Sequence, residues 1–461
     1  MRTRLRLCTV LLLLLTAGCG QLPGVSPAYP GPPPTPPQVA PYPPNPTWRP
    51  DEDPLRGCTV RPDDGLVICP SKATPFPTPP PIPTPPDTPV VTPIPLAQPP
   101  IIPELAGKET VPYRIVVRES AGTRLWKGQE TPTSSVLRIV GSDGSDRGVA
   151  LDTEKAAGLF LGHWLLQNEW GTPSPDGKRL ALVLTDAWEY SASADAEKKG
   201  PPFHIYLFDL ESREFRFLAE GEGPAWSPDG REIAYYRNGL WVIDLENGQE
   251  RPLFRTEERQ QLFPPLWSPD GKRILFRNYL ESVNSDGYGP GEMVLVNADG
   301  SGEPSILPLP SSCPGILWLP EEDGFLVQCS SHLPIGADTS FFQVLKGGEV
   351  TAKFLSNYDL CACGGWPRYS PNGEWLLFSG TSVYEVLEGQ HYFYDVWLLK
   401  SDGSTLRRLT LDTASDLVPQ WSPDGTEVVY QKRGQGIWAL NLATGRARQL
   451  WPGDVEFLVV Q

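Results

Sequence analysis

Histidine is scarce in this sequence: there are only four, and they lie far apart in the chain. A metal site or a proton-transfer site built on histidine needs several such groups to converge. The chain also lacks an HExxH motif, a phosphate-binding Gly-Lys loop, a dinucleotide fingerprint and a serine with glycines two places before and after it. These absences predict a protein that is not an enzyme and that holds no cofactor and no metal. The four histidines are His163, His204, His332 and His391.

Basic residues are also few relative to acidic residues. The chain has 39 Lys and Arg residues against 55 Asp and Glu residues, which gives a formal net charge of −16. Such an acidic chain repels the phosphates of nucleic acids and the surface of anionic lipids. We therefore expect no nucleic acid partner, and no contact with a membrane except through a covalent anchor.

The N-terminus has no apolar run long enough to span a membrane. Leu7–Leu15 is apolar, but it is too short for a stable transmembrane helix and follows three arginines, as in a signal peptide. The segment LTAGC, which ends at Cys19, resembles the lipobox of bacterial lipoproteins. This resemblance implies that residues 1–18 are a signal peptide and that Cys19 is acylated. The exported protein would then be anchored to the cell membrane, facing the periplasm or the cell exterior. An ordinary signal peptide cut nearby is the alternative.

Proline is concentrated in one part of the chain. Residues 20–110 contain 30 of the 54 prolines. Runs such as PGPPPTPP cannot donate backbone hydrogen bonds and favour extended polyproline II. We interpret residues 19–110 as a disordered tether that holds a folded domain, residues 111–461, away from the membrane. The alternative is that PxxP motifs in the tether are ligands for aromatic-groove modules.

Six cysteines remain after the predicted leader and Cys19. An exported protein favours disulfides. Cys58 and Cys69 flank a segment that is nearly symmetric about an Asp-Asp-Gly turn, and Cys313 and Cys329 flank a later turn in the same way. We predict a disulfide within each pair. Pairing of Cys313 with Cys363 is the alternative, and the partners of Cys361 and Cys363 stay open.

A short motif recurs from residue 172 onwards. Copies such as LWSPDGKRILFR share a core of Ser-Pro-Asp/Asn-Gly, and their serines are spaced 41 to 53 residues apart if Leu319 is counted as a decayed copy. Pro presets the first turn position, Asp caps the turn, and Gly takes a left-handed conformation. Each motif therefore predicts a β-hairpin, and its Asp is a turn residue rather than a catalytic one. The motif serines are Ser174, Ser227, Ser268, Ser370 and Ser422.

A second hairpin follows each first one, and another precedes the first copy. This gives seven second hairpins but only six first hairpins, so we predict that residues 456–461 pair with residues 113–118 to complete a seventh unit. The repeats resemble the TolB-like family with Trp-Ser-Pro-Asp-Gly motifs. The resemblance implies an all-β, seven-bladed β-propeller, with six blades as the alternative, and WD40-like blades whose motif tryptophans pack between neighbours. Those tryptophans are Trp226, Trp267 and Trp421.

Long connections are predicted on one face of this propeller, opposite the tight turns. They carry aromatic residues of the types that anchor interfaces. We interpret this face as the surface of a monomer that binds an envelope or extracellular protein or peptide. A carbohydrate-binding protein, or a lyase or hydrolase acting at the channel mouth, is the alternative. The candidate partner-binding residues are Trp188, Tyr190, Tyr279, Tyr288, Tyr358, Trp366, Tyr384 and Tyr392.

Overall fold

The computed structural model divides the chain into two units, Met1–Thr88 and Pro89–Gln461. Among the residues that it describes, no helix has the length and apolar character needed to cross a membrane. The described residues are 59–60, 67–68, 95–126, 129–161, 170–185, 203–255, 264–279, 291–307, 315–320, 324–332, 338–346, 349–355, 360–362, 367–382 and 393–461.

The described part of the first unit is a short hairpin. Strands β1 (Thr59–Val60) and β2 (Val67–Ile68) are antiparallel, with Thr59 opposite Ile68. Cys58 and Cys69 lie outside the described residues, so their disulfide stays a prediction.

The described strands of the second unit form seven blades, each an antiparallel sheet. Two short helices accompany them, a 3-10 helix at Pro103–Leu105 and α1 at Thr153–Ala157. The first three strands of the second unit belong to the last blade: β3 (Arg114–Trp126), β4 (Gln129–Gly141) and β5 (Asp146–Asp152).

The next strands build blades 1 to 3. Blade 1 contains β6 (Phe160–Leu161), β7 (Gly171–Pro173), β8 (Arg179–Thr185), β9 (Phe203–Asp209) and β10 (Phe215–Glu220). Blade 2 contains β11 (Glu222–Trp226), β12 (Glu232–Tyr236), β13 (Gly239–Asp244) and β14 (Glu250–Arg255). Blade 3 contains β15 (Leu266–Trp267), β16 (Arg273–Tyr279), β17 (Gly291–Asn297) and β18 (Ser305–Leu307).

Blades 4 to 7 complete the ring. Blade 4 contains β19 (Gly315–Trp318), β20 (Phe325–His332), β21 (Asp338–Lys346) and β22 (Glu349–Phe354). Blade 5 contains β23 (Leu360–Cys361), β24 (Arg368–Tyr369), β25 (Trp375–Ser382), β26 (Asp395–Lys400) and β27 (Leu406–Arg408). Blade 6 contains β28 (Asp416–Trp421), β29 (Glu427–Lys432), β30 (Gly436–Asn441) and β31 (Ala447–Trp451), and blade 7 joins β32 (Glu456–Val460) to β3, β4 and β5.

The Ser-Pro-Asp-Gly motif folds as the turn that its residues predict. In blade 3 the hydroxyl of Ser268 donates to Asp270 at 2.6 Å and accepts from the backbone N–H of Arg273 at 2.9 Å. Gly271 has a φ of 70°, in the left-handed region that glycine adopts without strain. The same serine and aspartate bonds recur in the turns of blades 1, 2 and 6, with Asn372 replacing Asp in blade 5. The motif is therefore structural.

The two ends of the domain close the ring, as predicted. Strand β32 pairs with β3 in register from Arg114 opposite Val460 to Arg118 opposite Glu456. Gln420 of blade 6 strengthens this closure, because its side chain donates to the carbonyl of Phe457 and accepts from the N–H of Val459. The prediction of seven blades is confirmed.

Four tryptophans link neighbouring blades by the same hydrogen bond. In each case the indole N–H reaches back to a backbone carbonyl on the first strand of the preceding blade, which supports the predicted packing role. We call these bonds the tryptophan latches. They join Trp226 to Thr172, Trp267 to Ala225 and Trp318 to Leu266, each at 3.0 Å, and Trp421 to Arg368 at 3.2 Å.

Residues 96–111, which we call the strap, pack on the propeller instead of belonging to the tether. Leu96 forms a parallel bridge with Arg408 on the outer edge of blade 5. Ile101, Ile102 and Leu105 are buried in the core cluster shared by blades 5 and 6. The folded unit therefore begins earlier than the predicted residue 111. The surrounding prolines hid these apolar residues from the sequence analysis.

Candidate functional site

The propeller has two unlike faces. The Ser-Pro-Asp-Gly turns and the turns between third and fourth strands lie on one face, which we call the tight-turn face. The connections between second and third strands leave the opposite face, which we call the long-loop face. Thr185 is paired with Phe203, and Tyr279 with Gly291, so the second and third strands of blades 1 and 3 meet at these residues on that face.

Most of the predicted partner-binding residues cannot be placed. Tyr279 is the last residue of β16, at the long-loop end of blade 3, and only its backbone is described. The other seven lie outside the described residues, so their role stays a prediction. These seven are Trp188, Tyr190, Tyr288, Tyr358, Trp366, Tyr384 and Tyr392.

An aromatic and basic cluster lies at the long-loop end of blade 2. The guanidinium of Arg237 lies 4.2 Å from the ring centre of Trp241, and that of Arg255 lies 5.3 Å from it. Arg237 also forms an ion pair of 2.6 Å with Glu250, which accepts a hydrogen bond from Tyr235. Both partners of this ion pair keep 29% of their side-chain surface exposed. The cluster is thus rigid, partly open to solvent, and rich in the residue types that dominate protein interfaces.

Blade 6 repeats this arrangement at the equivalent position. The Lys432 ammonium lies 5.2 Å from the ring centre of Trp438, and Tyr430 stands opposite Trp438 in the paired strands. The connection between second and third strands is short in both blades, so these rings lie close to the face itself. The sequence analysis missed both clusters. Their signal is a basic residue after the second strand and a tryptophan early in the third, as in YRNGLW and QKRGQGIW.

A buried polar cluster lies in the seam between blades 5 and 6. Asp395, at the start of β26, is fully buried and forms an ion pair of 2.5 Å with the equally buried Arg408. Asp412 forms a second ion pair with Lys432. Both pairs lie near Asp416, the first residue of β28.

Asp416 is itself fully buried. Its backbone N–H donates to the carbonyl of Tyr394, and its carbonyl accepts from Ser379. Burial raises the pKa of its carboxyl group to about 7. The side chain therefore titrates near neutral pH.

The cysteines are only partly described. Cys329 and Cys361 are both disulfide-bonded. Cys329 is fully buried against Leu275 and Met293 of blade 3, whereas the neighbouring Gln328 reaches the carbonyl of Ala362 in blade 5. The described residues contain no group of three or more His, Cys, Asp or Glu side chains that could hold a metal ion. The predicted pairing with Cys313 stays a prediction, because Cys313, like Cys363 and Cys19, lies outside the described residues.

Comparison with known proteins gives weak sequence similarity to propeller proteins. No protein-family model matches the chain. An uncharacterized protein of Agrobacterium fabrum is 24% identical over 242 residues, which cover 49% of this chain and 72% of that protein. TolB of Rhizorhabdus wittichii, a Tol-Pal system protein, is 33% identical over 66 residues, which cover 12% of this chain and 15% of TolB.

An enzyme is among the relatives. An uncharacterized peptidase of Bacillus subtilis is 27% identical over 228 residues, covering 45% of this chain but only 28% of the peptidase. Because the matched part of the peptidase is so small, its activity does not transfer to this chain.

Comparison with solved structures gives matches at low identity. An oligogalacturonate lyase in complex with manganese has a TM-score of 0.48 and 13% identity, covering 73% of this chain and 86% of the lyase. TolB from Acinetobacter baumannii has a TM-score of 0.39 and 15% identity, covering 75% of this chain and 82% of TolB. Likeness at such low identity carries no function over to this chain, because one fold hosts many functions.

Proposed function

We propose that this TolB-like propeller is a non-catalytic binding protein, which captures a protein or peptide partner on its long-loop face. The observation that carries the proposal is the unequal use of the two faces. On the tight-turn face, the motif serines and aspartates bond to one another, and the strap crosses the turns of blade 6. The N–H of Val111 in the strap donates to Asp424 of a motif turn at 2.7 Å.

The long-loop face offers groups suited to binding. The clusters around Trp241 and Trp438 present large aromatic rings beside cationic side chains, held in place by their own blade. Rigid aromatic and arginine anchors lose little conformational entropy on binding, which favours them at interfaces. The predicted aromatic residues of the connections between strands would extend the same surface.

The proposal also includes attachment of the protein to the membrane through a lipid anchor. We propose that the chain is exported, that Cys19 is acylated, and that the partner is an envelope or extracellular molecule. The strap joins the tight-turn face, where Thr110 bonds to Thr426 and Asn441.

Partner capture from the organism's own envelope fraction tests the proposal. The mature protein is immobilised, and captured proteins are quantified by mass spectrometry. We expect R237A/W241A to reduce capture of the main partner by at least about tenfold, because hot-spot residues each contribute on the order of 2 kcal/mol. The matched control is R231A/K272A, which removes exposed basic side chains from tight turns of blades 2 and 3.

The control should bind as the parent does. Both variants should also keep the melting temperature to within a few degrees of the parent, so that lost capture is not lost folding. Capture that survives the long-loop changes but fails in the control would assign the binding surface to the opposite face. Capture that neither variant alters would contradict binding through either surface.

A further inference from the structure

We call the contact region between blades 5 and 6 the seam. Its described buried or half-buried charged side chains are three carboxylates and two cations, so it contains one more acidic than basic group. Arg408 is bound to Asp395, and Lys432 is bound to Asp412. Asp416 is the carboxyl group that remains. Within the described part of the chain, neither of its side-chain oxygens makes a hydrogen bond of normal geometry, although the residue is fully buried and the Thr410 hydroxyl lies close enough to lower the pKa of its carboxyl group.

An ionised carboxylate is costly in such a place. Burial removes the water that would stabilise the charge, and both described cations of the seam are already paired with other carboxylates. Burial raises the pKa of Asp416, and the nearby carboxylates of Asp412 and Asp395 raise it further. The Thr410 hydroxyl and the Lys432 ammonium oppose this shift only in part. The native seam therefore favours the protonated, neutral form of Asp416.

The strap is attached to the same seam. The N–H of Ala97 donates to the carbonyl of Arg408 at 2.8 Å, and the N–H of Ile101 donates to that of Leu442 at 2.8 Å. Ile101 also shares a buried cluster with Tyr430. The Tyr430 hydroxyl feels the charges of Asp416 and Asp412, which raise its pKa in addition to the effect of burial. The strap is thus bonded to the backbone of Arg408, and the side chain of Arg408 pairs with Asp395, whose charge acts on Asp416.

We propose that Asp416 is a proton-sensing residue whose ionisation loosens the strap, so that acid conditions tighten the strap on the propeller and neutral conditions release it. The strap connects the predicted tether to the folded domain. The inference thus concerns how the domain is held, and it does not depend on what the domain binds.

The pH range of the effect follows from the two states of the seam. In an opened seam Asp416 is hydrated and has an ordinary pKa near 3.9. Between about pH 4 and pH 7 the opened state loses its proton while the closed state keeps it. Opening then becomes up to about tenfold more favourable for each pH unit. Above about pH 7 both states are ionised, and the effect levels off.

Hydrogen exchange of the full mature protein tests the proposal. Protection factors are measured for peptides covering residues 96–111 at about pH 4.5, 5.5, 6.5 and 8, with each rate divided by the intrinsic rate at that pH. We expect protection of the strap to fall by as much as about tenfold per pH unit up to pH 7 and then to level off. Peptides from β12 and β13 of blade 2 report global opening and should change much less.

Asp416→Asn should keep the strap protected across the whole range, because the amide cannot ionise. Asp402→Asn is the matched control, since it removes an exposed carboxyl group from a turn of the neighbouring blade 5, and it should behave as the parent does. If the protection of the strap in the unmodified protein does not change with pH, the proposal is wrong. This part of the test does not depend on any variant folding. The same pH dependence in Asp416→Asn would overturn the proposal as well, and Asp416→Ser repeats the comparison if the asparagine variant does not fold.

Discussion

The hydroxyl of Tyr113 donates a hydrogen bond of 2.9 Å to Oε2 of Glu427, which joins the segment that leads into β3 to blade 6. Glu427 is almost fully buried and also forms an ion pair of 2.6 Å with Arg448. Burial alone would raise the pKa of Glu427, but Arg448, Tyr113 and Asn441 together lower it. This network of charged and polar side chains thus holds the start of the domain on blade 6.

We expect Tyr113→Phe to lower the free energy of unfolding by about 1.5 kcal/mol at pH 7, because it removes a hydrogen bond to a charged group. A carboxyl group with a lowered pKa stabilises the fold above its unfolded pKa, and this stabilisation is lost as the pH falls. The cost of the substitution should therefore shrink towards pH 3. Urea unfolding at several pH values measures it. Tyr206→Phe is the control, since no described hydrogen bond involves that hydroxyl, and an equal cost in both variants would argue against the network.

Closure of the ring predicts a strong effect of shortening the C-terminus. Deleting residues 456–461 removes β32 and the buried side chains of Phe457, Leu458 and Val460. We expect the melting temperature to fall by more than about 10 °C, because several buried side chains and a complete strand are lost. Removing Gln461 alone should have a small effect. An unchanged melting curve after the longer deletion would show that closure by β32 contributes little.

The tryptophan latches predict a difference between two equivalent positions. Trp267→Phe removes the latch to Ala225 and should lower the free energy of unfolding by about 1–2 kcal/mol, through a lost hydrogen bond and a small cavity. Tyr369 occupies the same position in blade 5, but no described hydrogen bond joins its side chain to blade 4. Tyr369→Phe should therefore change stability by less than about 0.5 kcal/mol. Equal losses at the two positions, measured by urea unfolding, would assign the effect to ring size rather than to the latch.

The raised pKa of Asp416 predicts the pH dependence of global stability. The unfolded state releases this proton at lower pH than the native state does, so native stability falls as the pH rises from about 4 to about 7. Asp416→Asn should raise the free energy of unfolding at pH 7 by as much as about 4 kcal/mol, and the gain should vanish near pH 4. Urea midpoints across this range measure both quantities. A gain that is the same at every pH would point to packing instead of ionisation.

The cysteines allow a direct chemical test. We predict that Cys329 is joined to Cys313, because Cys329 faces blade 3 while the described disulfide-bonded Cys361 belongs to blade 5. Gly315, two residues after Cys313, pairs with Gln328 beside Cys329. Peptide mapping without reduction, after free thiols are blocked, identifies the linked peptides. A peptide that joins Cys313 to Cys361 or Cys363 would rule out this pairing.

The sequence predicted the blades because each blade repeats a local signal. A Ser-Pro-Asp-Gly turn between alternating strands has the same physical cause wherever it occurs, and the unpaired strand at each end implied closure. The strap escaped prediction because Ile101 and Ile102 lie among prolines that indicate an extended tether. The burial of Asp416 without a paired cation was not predicted, because it arises only where blades 5 and 6 pack together. The clusters at Trp241 and Trp438 left a weak signal, which becomes visible only when blades 2 and 6 are aligned.

The tryptophan latches all point the same way along the chain. Each donor belongs to a later blade and each acceptor to the blade before it, as in the bond from Trp226 to Thr172. During synthesis or export from the N-terminus, every new donor therefore meets an acceptor that has already emerged. The strap and the first strands depend on later parts of the chain, because the strap packs on blades 5 and 6 and the first strands pair with β32. The ring can thus assemble blade by blade in the order of translation, and its closure is the last step.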